Sequence, residues 1–335
     1  MSSVIRRCIQ VFVVLTAIVC SFSAQAAYTF VIVTYPGADG TQLWGVNNSG
    51  QMLGQAVYNT APNVNFLYDA QKKTFTTLAP VPGEDNTGMT GINNAGVIVG
   101  SAFDSNGIES GLIRNTKGKF TIFSHPGPLD NTEARAVNNR GLVSGYAYDD
   151  NMDNYIGFIY DPAHGSYTDL PFVGSPQVIA QGINTSGEVV GSVRLPDQGK
   201  YSDYPTGRYG FLRDTYGTIT LFQVNGFDTR ARGINDSGLI TGFFVDANGD
   251  TNGYVGTVPN LSFQPLNVPG AIDTFAQAIN NSGQIVGFTD NNGFIASLIA
   301  TNKDQCKAGW QSLSRADGTF FKNQGDCIQY VNTGK

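Results

Sequence analysis

A ten-residue phrase that occurs six times is the strongest constraint on what this chain can fold into. The copies are GVNNSGQMLG (45–54), GINNAGVIVG (91–100), AVNNRGLVSG (136–145), GINTSGEVVG (182–191), GINDSGLITG (233–242) and AINNSGQIVG (278–287). Their turn glycines, from Gly50 to Gly283, are separated by 46, 45, 46, 51 and 45 residues. A constant period of about 40–50 residues is typical of β-propellers and solenoids.

Each period consists of short apolar segments separated by turn residues, without a helical stripe of useful length. In the second copy, Ile92 ends one strand, Asn93 to Gly96 form the turn, and Val97 begins the next strand. This pattern predicts a type I turn closed by a left-handed glycine. A second hairpin follows, such as GLIR before KFTIF. Four strands in each of six periods predict an all-β, six-bladed β-propeller with four-stranded blades.

The two ends of the repeated region predict how the ring closes. Five periods end in a fourth strand, whereas the sixth stops after GFIASLIA. The missing strand is present at residues 28–37, YTFVIVTYPG. We therefore expect the N-terminal strand to complete the last blade, which would remove the open edges of an incomplete ring.

The N-terminus has the features of a secretion signal, which divides the chain into three parts. Arg6 and Arg7 precede an apolar run at 8–20, and Ala-Gln-Ala at 24–26 supplies a cleavage site. The predicted parts are a signal peptide at 1–26, the propeller at 27–302 and a tail at 303–335. Loss of two arginines changes the net charge from −6 to −8, which disfavours nucleic acid as a partner. We expect an extracellular or periplasmic protein without a transmembrane helix after cleavage.

Two cysteines, Cys306 and Cys327, remain after signal cleavage. An oxidising destination favours a disulfide between them. Closing a loop of this length contributes roughly 3 kcal/mol. The alternative at this stage is a pair of free thiols.

The repeated phrase and the Gly-Phe or Gly-Leu strands that follow it resemble the HAF-repeat family of probable extracellular repeat proteins, over residues 28–300. Tripeptides such as Ser-Gly-Leu (110–112), Ile-Gly-Phe (156–158) and Tyr-Gly-Phe (209–211) replace the namesake His-Ala-Phe. The resemblance implies an exported propeller and transfers no catalytic residues to this chain. The tail resembles a short two-cysteine segment of secreted bacterial proteins, for which a cap and an attachment segment are both open.

Motifs of common enzymes are absent from the sequence. It contains no H-E-x-x-H, G-x-S-x-G, P-loop or cysteine–histidine zinc spacing. The two histidines, His125 and His164, lie in predicted turns, where we expect solvated side chains without a catalytic role.

Two acidic loops place oxygen ligands at alternate positions, as Ca²⁺ prefers. The candidate ligands are Asp149, Asp150, Asp153, Asp246, Asn248 and Asp250. Neither loop has the full EF-hand pattern, and Asx-rich turns without metal remain the alternative. We expect no other cofactor.

The candidate binding site is a ring around the propeller axis. Three residues before the first Asn of each turn, the periods carry Trp44, Thr90, Arg135, Gln181, Arg232 and Gln277. Divergence between blades fits recognition of an asymmetric ligand. Glu133 and Arg230 would add charge, and Tyr201, Tyr204 and Tyr209 of the longest loop would add aromatic surface. The alternative is that the ring side chains pair with each other across a water-filled channel.

These features support three hypotheses about function. The first is a secreted, non-catalytic propeller that binds a polysaccharide or a surface protein through the loop face, opposite the repeated turns. The second is an extracellular glycan-acting lyase or hydrolase that uses Glu133 or loop aspartates, with Arg135 or Arg232 stabilising charge. The third is a structural component of a surface layer or matrix.

Overall fold

The structure, a computed structural model, describes residues 27–149, 154–171, 175, 177–195 and 207–335. The predicted signal peptide lies outside the described residues. So do Asp150, Asp153, Tyr201 and Tyr204.

Six blades of four antiparallel strands form the body of the protein. The first described strand is β1 (Tyr28–Val33). Blade 1 contains β2 (Gly40–Val46), β3 (Gln51–Val57), β4 (Val64–Asp69) and β5 (Thr74–Thr77). Blade 2 contains β6 (Asn86–Ile92), β7 (Ile98–Phe103), β8 (Glu109–Arg114) and β9 (Phe120–Phe123). Blade 3 contains β10 (Asn131–Val137), β11 (Val143–Asp149), β12 (Asn154–Asp161) and β13 (Ser166–Asp169).

The second half of the ring repeats this order. Blade 4 contains β14 (Val178–Ile183), β15 (Val189–Leu195), β16 (Gly207–Arg213) and β17 (Ile219–Phe222). Blade 5 contains β18 (Asp228–Ile234), β19 (Ile240–Val245), β20 (Thr251–Thr257) and β21 (Ser262–Pro265). Blade 6 contains β22 (Phe275–Ile279), β23 (Ile285–Phe288), β24 (Gly293–Ile299) and, as its outer strand, β1. The predicted six-bladed propeller is confirmed.

The N-terminal strand closes the ring, as predicted. Strand β1 pairs with β24 in antiparallel register from Tyr28 opposite Leu298 to Val33 opposite Gly293. A backbone bond from Thr41 N–H to Asn291 C=O (3.0 Å) joins blade 1 to blade 6. The first and last blades are therefore connected by the chain itself and by backbone hydrogen bonds.

The repeated turns have the predicted geometry. In blade 2 the N–H of Gly96 donates to the C=O of Asn93 at 3.0 Å, and Gly96 has a φ of 82°. This is the left-handed region, where a side chain is unfavourable and glycine is preferred. The corresponding glycines in the other five blades also have positive φ.

The side chain of the first Asn of each turn also forms a hydrogen bond to the next blade. The turn pattern in the sequence does not reveal this bond. The Asn93 Oδ1 accepts the N–H groups of Ala95 (3.1 Å) and Val97 (3.0 Å) inside its own turn. Its Nδ2 donates to the C=O of Asn138 in blade 3 at 3.0 Å. The same bond runs from Asn47 to Asn93, Asn138 to Asn184, Asn184 to Asn235, Asn235 to Asn280 and Asn280 to Asn47. Six buried amides thus form a closed circle, which we name the asparagine circle.

The last glycine of each phrase lies where the second strand is tightly packed. A Cβ on Gly100 would overlap the backbone C=O of Gly88 on the innermost strand. In five blades an aromatic ring of the third strand covers this glycine: Phe66, Phe158, Phe211, Tyr254 and Phe294. These rings are fully buried and form the centre of the packing in their blades.

The tail forms a small helical unit that packs against blade 6, where the N-terminal strand closes the ring. It contains α1 (Lys303–Gly309), a 3₁₀ turn (Trp310–Ser312), β25 (Leu313–Ser314) and α2 (Gln324–Thr333). The predicted disulfide between Cys306 and Cys327 is confirmed and is compatible with an exported protein. Strand β25 pairs in parallel with β24, and Ser314 Oγ lies 2.6 Å from Thr29 Oγ1 of β1. Within the described residues, neither helix has the length and apolarity that membrane crossing requires.

Candidate functional site

The six ring residues identified in the sequence coincide with six β-bulges. Between β10 and β11, Ala134 pairs with Gly145 and Ala136 pairs with Ser144, so Arg135 is left without a partner in the ladder. The same register shift occurs in every innermost strand, at Trp44, Thr90, Arg135, Gln181, Arg232 and Gln277. A bulge re-aims the side chain of the extra residue. We name these six residues the channel ring.

The channel ring lines a central cavity of about 110 Å³. The second turn residues of the blades line the same cavity: Asn48, Asn94, Asn139, Thr185, Asp236 and Asn281. We name these six residues the mouth. The cavity therefore lies between the channel ring and the repeated turns, on the opposite side from the loop face that we expected. Each bulged residue lies three positions, roughly 10 Å along the strand, before the first Asn of its turn, which brings the bulged side chains within reach of that end of the channel.

The mouth is tied together by hydrogen bonds between neighbouring blades. Backbone N–H groups donate to side-chain oxygens from Asn48 to Asn94, Asn94 to Asn139, Thr185 to Asp236, Asp236 to Asn281 and Asn281 to Asn48, at 2.8–3.0 Å. Asn139 Nδ2 completes the circuit by donating to Thr185 Oγ1 at 3.2 Å. The entrance to the cavity is thus a closed circuit of polar groups.

Asp236 is the one acidic residue of the mouth. Its Oδ2 accepts from Thr185 Oγ1 (3.0 Å) and from Asn281 Nδ2 (2.6 Å). Burial alone would raise the pKa of Asp236, but these donors and the Thr185 N–H outweigh it and hold the pKa below its usual value. Asp236 is therefore ionised and bonded to its neighbours in the mouth.

Arg135 is the paired cation of the channel ring. Its Nη1 forms an ion pair with Glu133 Oε1, and its Nε donates to Gln181 Oε1 at 2.8 Å. The guanidinium also lies over the Trp44 ring, 5.5 Å from its centre. The other Glu133 oxygen accepts from the Tyr146 hydroxyl. Because both Glu133 oxygens have donors, this carboxylate is poorly placed to act as a free base.

Arg232 is a cation without a carboxylate partner among the described residues. Its Nη1 donates to Gln181 Oε1 at 3.0 Å, and its guanidinium lies 5.0 Å from the centre of the Phe243 ring. Its Nε is buried without a protein acceptor in the described structure. Burial, together with the charges of Arg135 and Arg230, lowers the pKa of Arg232 to about 9. The Nε2 of Gln277, another ring residue, is likewise buried without an acceptor in this part of the chain.

The remaining sequence candidates lie away from the cavity. Arg230 lies over the same aromatic residue as Arg232, 5.4 Å from the centre of the Phe243 ring, and neither Arg230 nor Glu133 lines the cavity. Tyr209 was predicted to be loop surface, which is wrong. It lies in β16, pairs with Val193 and is only 5% exposed. The strand begins earlier than expected, at Gly207, so that Tyr209 packs in the core of blade 4.

Glu109 is a buried acid that the sequence did not single out. It lies in β8 with an exposure of 4% and accepts from the Tyr148 hydroxyl at 2.7 Å. Burial, followed by the negative charge of Glu133, raises the pKa of Glu109 to about 7, although hydrogen bonds from Ser101 and Tyr148 oppose the shift. Glu109 lies two residues before the GLIR segment, where no strand was predicted, so the sequence held no signal for its burial.

We expect Glu109→Gln to remove a pH dependence of stability. Between the ordinary glutamate pKa of 4.5 and the folded value of about 7, the folded protein keeps a proton that the unfolded chain has released. Stability therefore falls as pH rises through this window, by an amount on the order of 2 kcal/mol. Urea unfolding should show equal stability of the two proteins at pH 4.5 and a more stable variant at pH 8. A constant difference at both pH values would contradict the assignment.

His125 was predicted to be solvated, which is wrong. It is 8% exposed, and its ring packs against Phe158 and Tyr167. Its Nδ1 accepts the Gly127 N–H at 3.1 Å and its Nε2 lies 2.9 Å from Asp169 Oδ1. The Nδ1 bond therefore stays within the connection that follows blade 2, and the Nε2 contact joins this connection to blade 3. His164 is exposed in its turn, as predicted, and bonds to Asp161 at 2.7 Å.

The second acidic loop uses its first carboxylate to build the turn. Asp246 Oδ1 accepts the N–H groups of Asn248 (2.9 Å) and Asp250 (3.1 Å), and Oδ2 accepts from Asn252 Nδ2 at 3.1 Å. Asp149, the described acid of the first loop, ends strand β11. Within the described ranges no three His, Cys, Asp or Glu side chains are grouped to hold a metal ion. Calcium binding stays a prediction.

These features define a six-bladed β-propeller whose channel is chemically asymmetric. The sequence matches no protein-family model and no curated protein. Among solved structures it is similar to virginiamycin B lyase from Staphylococcus aureus in its selenomethionine form, with a TM-score of 0.51, 13% identity, and 82% of this chain and 100% of that chain covered. A catalytically inactive variant of that lyase with quinupristin gives a TM-score of 0.51, 11% identity and the same coverage. Likeness at this identity shows the propeller fold alone.

Proposed function

We propose that this protein is a secreted, non-catalytic binding propeller, and that its central cavity receives part of an extracellular polysaccharide or surface protein. One observation carries this proposal. Six bulges of the same geometry present side chains of four different kinds, although the asparagine circle three residues away is the same in every blade. At the position of the asparagine circle, which the fold requires, all six blades carry the same residue. The variation at the channel ring therefore points to a ligand that lacks sixfold symmetry.

The chemistry of the channel ring suits such a ligand. Trp44 offers an aromatic surface beside Arg135, and Trp is a common contact residue for sugars and proteins because it combines apolar area with a polar edge. Amide and guanidinium donors from Gln277 and Arg232 line the same cavity. The fold holds all of these groups on rigid strands, so little ordering is needed on binding.

Export is part of the proposal. The predicted signal peptide, the disulfide of the tail and the resemblance to HAF-repeat proteins all agree with an extracellular or periplasmic location. The loop face, which includes residues outside the described ranges, could contribute a second contact surface for the same partner.

We expect Trp44→Ala to weaken binding to any polysaccharide that the mature protein binds on an array of acidic and neutral glycans. Loss of a stacking side chain should weaken binding by about tenfold or more. Tyr216→Ala is the matched control, since Tyr216 is 93% exposed in the turn between β16 and β17 of blade 4. Circular dichroism should show both variants folded. Equal binding by the Trp44 variant and the wild type would remove the cavity from the proposal.

A glycan-acting enzyme is the second candidate, favoured by one observation. The raised pKa of Glu109 makes it a proton donor near neutral pH, and the Tyr148 hydroxyl lies 2.7 Å away. Release of reducing ends or unsaturated products by the wild type but not by Glu109→Gln would establish it. Products from neither protein would leave binding as the function.

A further inference from the structure

We propose that the cavity binds the negatively charged end group, a carboxylate or a sulfate, of an acidic saccharide, a proposal that rests on the binding function proposed above. The cavity is lined by two guanidinium groups, Arg135 and Arg232. Only the first has a carboxylate partner, Glu133, among the described residues. One positive charge at the base of the cavity is thus left for a ligand.

This positive site stands against the charge of the whole protein. The chain has a net charge of −6, so a cation-lined cavity is a local feature and not a consequence of composition. The one acid at the mouth, Asp236, bonds to Thr185 and Asn281, and in the described structure it forms no ion pair with either arginine. The channel therefore offers a focused site for an anion.

Two donor groups in the channel ring have no acceptor in the described protein: Arg232 Nε and Gln277 Nε2. Gln277 is only 5% exposed. Buried donors without acceptors and a buried cation without a counter-ion both destabilise a fold. The Phe243 ring face offsets only part of the cost of burying Arg232. An oxyanion in the cavity that Arg232 lines would supply the missing negative charge.

The same bulge accepts glutamine in two other blades, at Gln181 and Gln277. Arginine at position 232 is therefore not required by the backbone, and glutamine would fit the fold without burying a charge. A residue that lowers the stability of the fold where another residue would fit is expected at a position that contacts a ligand.

The size of the cavity limits what can enter. At about 110 Å³ it has room for a carboxylate or sulfate group and a few waters, but not for a whole sugar ring with its hydroxyl groups. The rest of the saccharide would lie over the mouth, where exposed amides such as Asn94 and Asn139 can bond to hydroxyl groups. A terminal uronate or a sulfated end residue meets these conditions, and a free inorganic anion shares the same chemistry.

Titration calorimetry of the mature chain, residues 27–335, at constant ionic strength tests the proposal with three probes: galacturonate, galactose and sodium sulfate. We expect the two anions to bind and galactose not to bind. Arg232→Gln should weaken anion binding by about tenfold or more, since it removes a charge-assisted bond. Arg230→Gln is the matched control, because it removes the same charge outside the cavity and should change affinity by less than about threefold after screening.

A thermal-unfolding series separates a ligand-binding arginine from a structural one. Without added anion, Arg232→Gln should melt at a higher temperature than the wild type because the unpaired buried cation is gone. Sulfate should raise the melting temperature of the wild type and leave that of the variant unchanged. A variant that melts below the wild type would make Arg232 a structural residue and overturn the proposal.

Other outcomes also decide the question. Binding of sulfate without galacturonate would overturn a terminal uronate as the ligand and support a sulfate group in its place. Equal binding of galactose and galacturonate would overturn the anion assignment but leave the binding function intact, provided that Trp44→Ala weakens both. Binding of no probe, together with an array on which Trp44→Ala changes nothing, would overturn both proposals.

Discussion

Replacing Gly100 with alanine is expected to destabilise the protein by about 4 kcal/mol or to prevent folding. A Cβ at this position would overlap the backbone C=O of Gly88 and crowd the Cα of Met89 on the neighbouring strand. Both contacts are with backbone, which cannot move aside without disturbing the bulge at Thr90. Urea unfolding monitored by tryptophan fluorescence would measure the loss.

Gly88→Ala is the matched control for this prediction. Gly88 lies on the adjacent strand β6, and a Cβ there would meet nothing closer than Ser101 Oγ at 3.9 Å. We expect this variant to change stability by less than about 1 kcal/mol. Similar losses in the two variants would mean that glycine flexibility, and not the close approach of the strands, explains the last position of the repeated phrase.

Replacing Asn138 with alanine is expected to cost about 4 kcal/mol, because one side chain serves three backbone groups. Its Nδ2 donates to the C=O of Asn184 at 2.9 Å, and its Oδ1 accepts the N–H groups of Arg140 (3.0 Å) and Leu142 (2.9 Å). Alanine would leave these groups without partners in a position that is 4% exposed in the native protein. The loss is measurable as a shift of the urea midpoint at unchanged m-value.

Asn139→Ala, one residue along, tests whether the asparagine circle or the mouth holds the blades together. Asn139 accepts the Asn94 N–H at 3.0 Å and donates to Thr185 at 3.2 Å, but it is exposed, so water can replace both bonds. We expect a loss of less than about 1 kcal/mol. If the Asn139 variant lost as much as the Asn138 variant, the buried circle would not be the main link between blades.

Part of the candidate site could be located by counting along the sequence. The channel ring was identified because it lies at a constant distance from a repeated Asn, and the bulges confirm that these six positions are equivalent in the fold. Roles that depend on other strands could not be found in this way. Burial and, second, the charge of Glu133 on the neighbouring blade raise the pKa of Glu109, and Phe243 contacts Arg232 across the pair β18 and β19.

By itself the sequence determined the number of blades, the strands in each blade, the turn type and the closure of the ring by residues 28–33. All of these follow from local turn chemistry and from a period that the chain repeats. Only the tertiary structure decided that the first Asn of each turn bonds to the next blade, that the cavity faces the repeated turns, and that Arg232 has no carboxylate partner among the residues that the structure describes. These properties depend on groups about 45 or more residues apart in sequence, such as Asn280 and Asn47, whose distance is set by the closed circle of blades and not by their spacing along the chain.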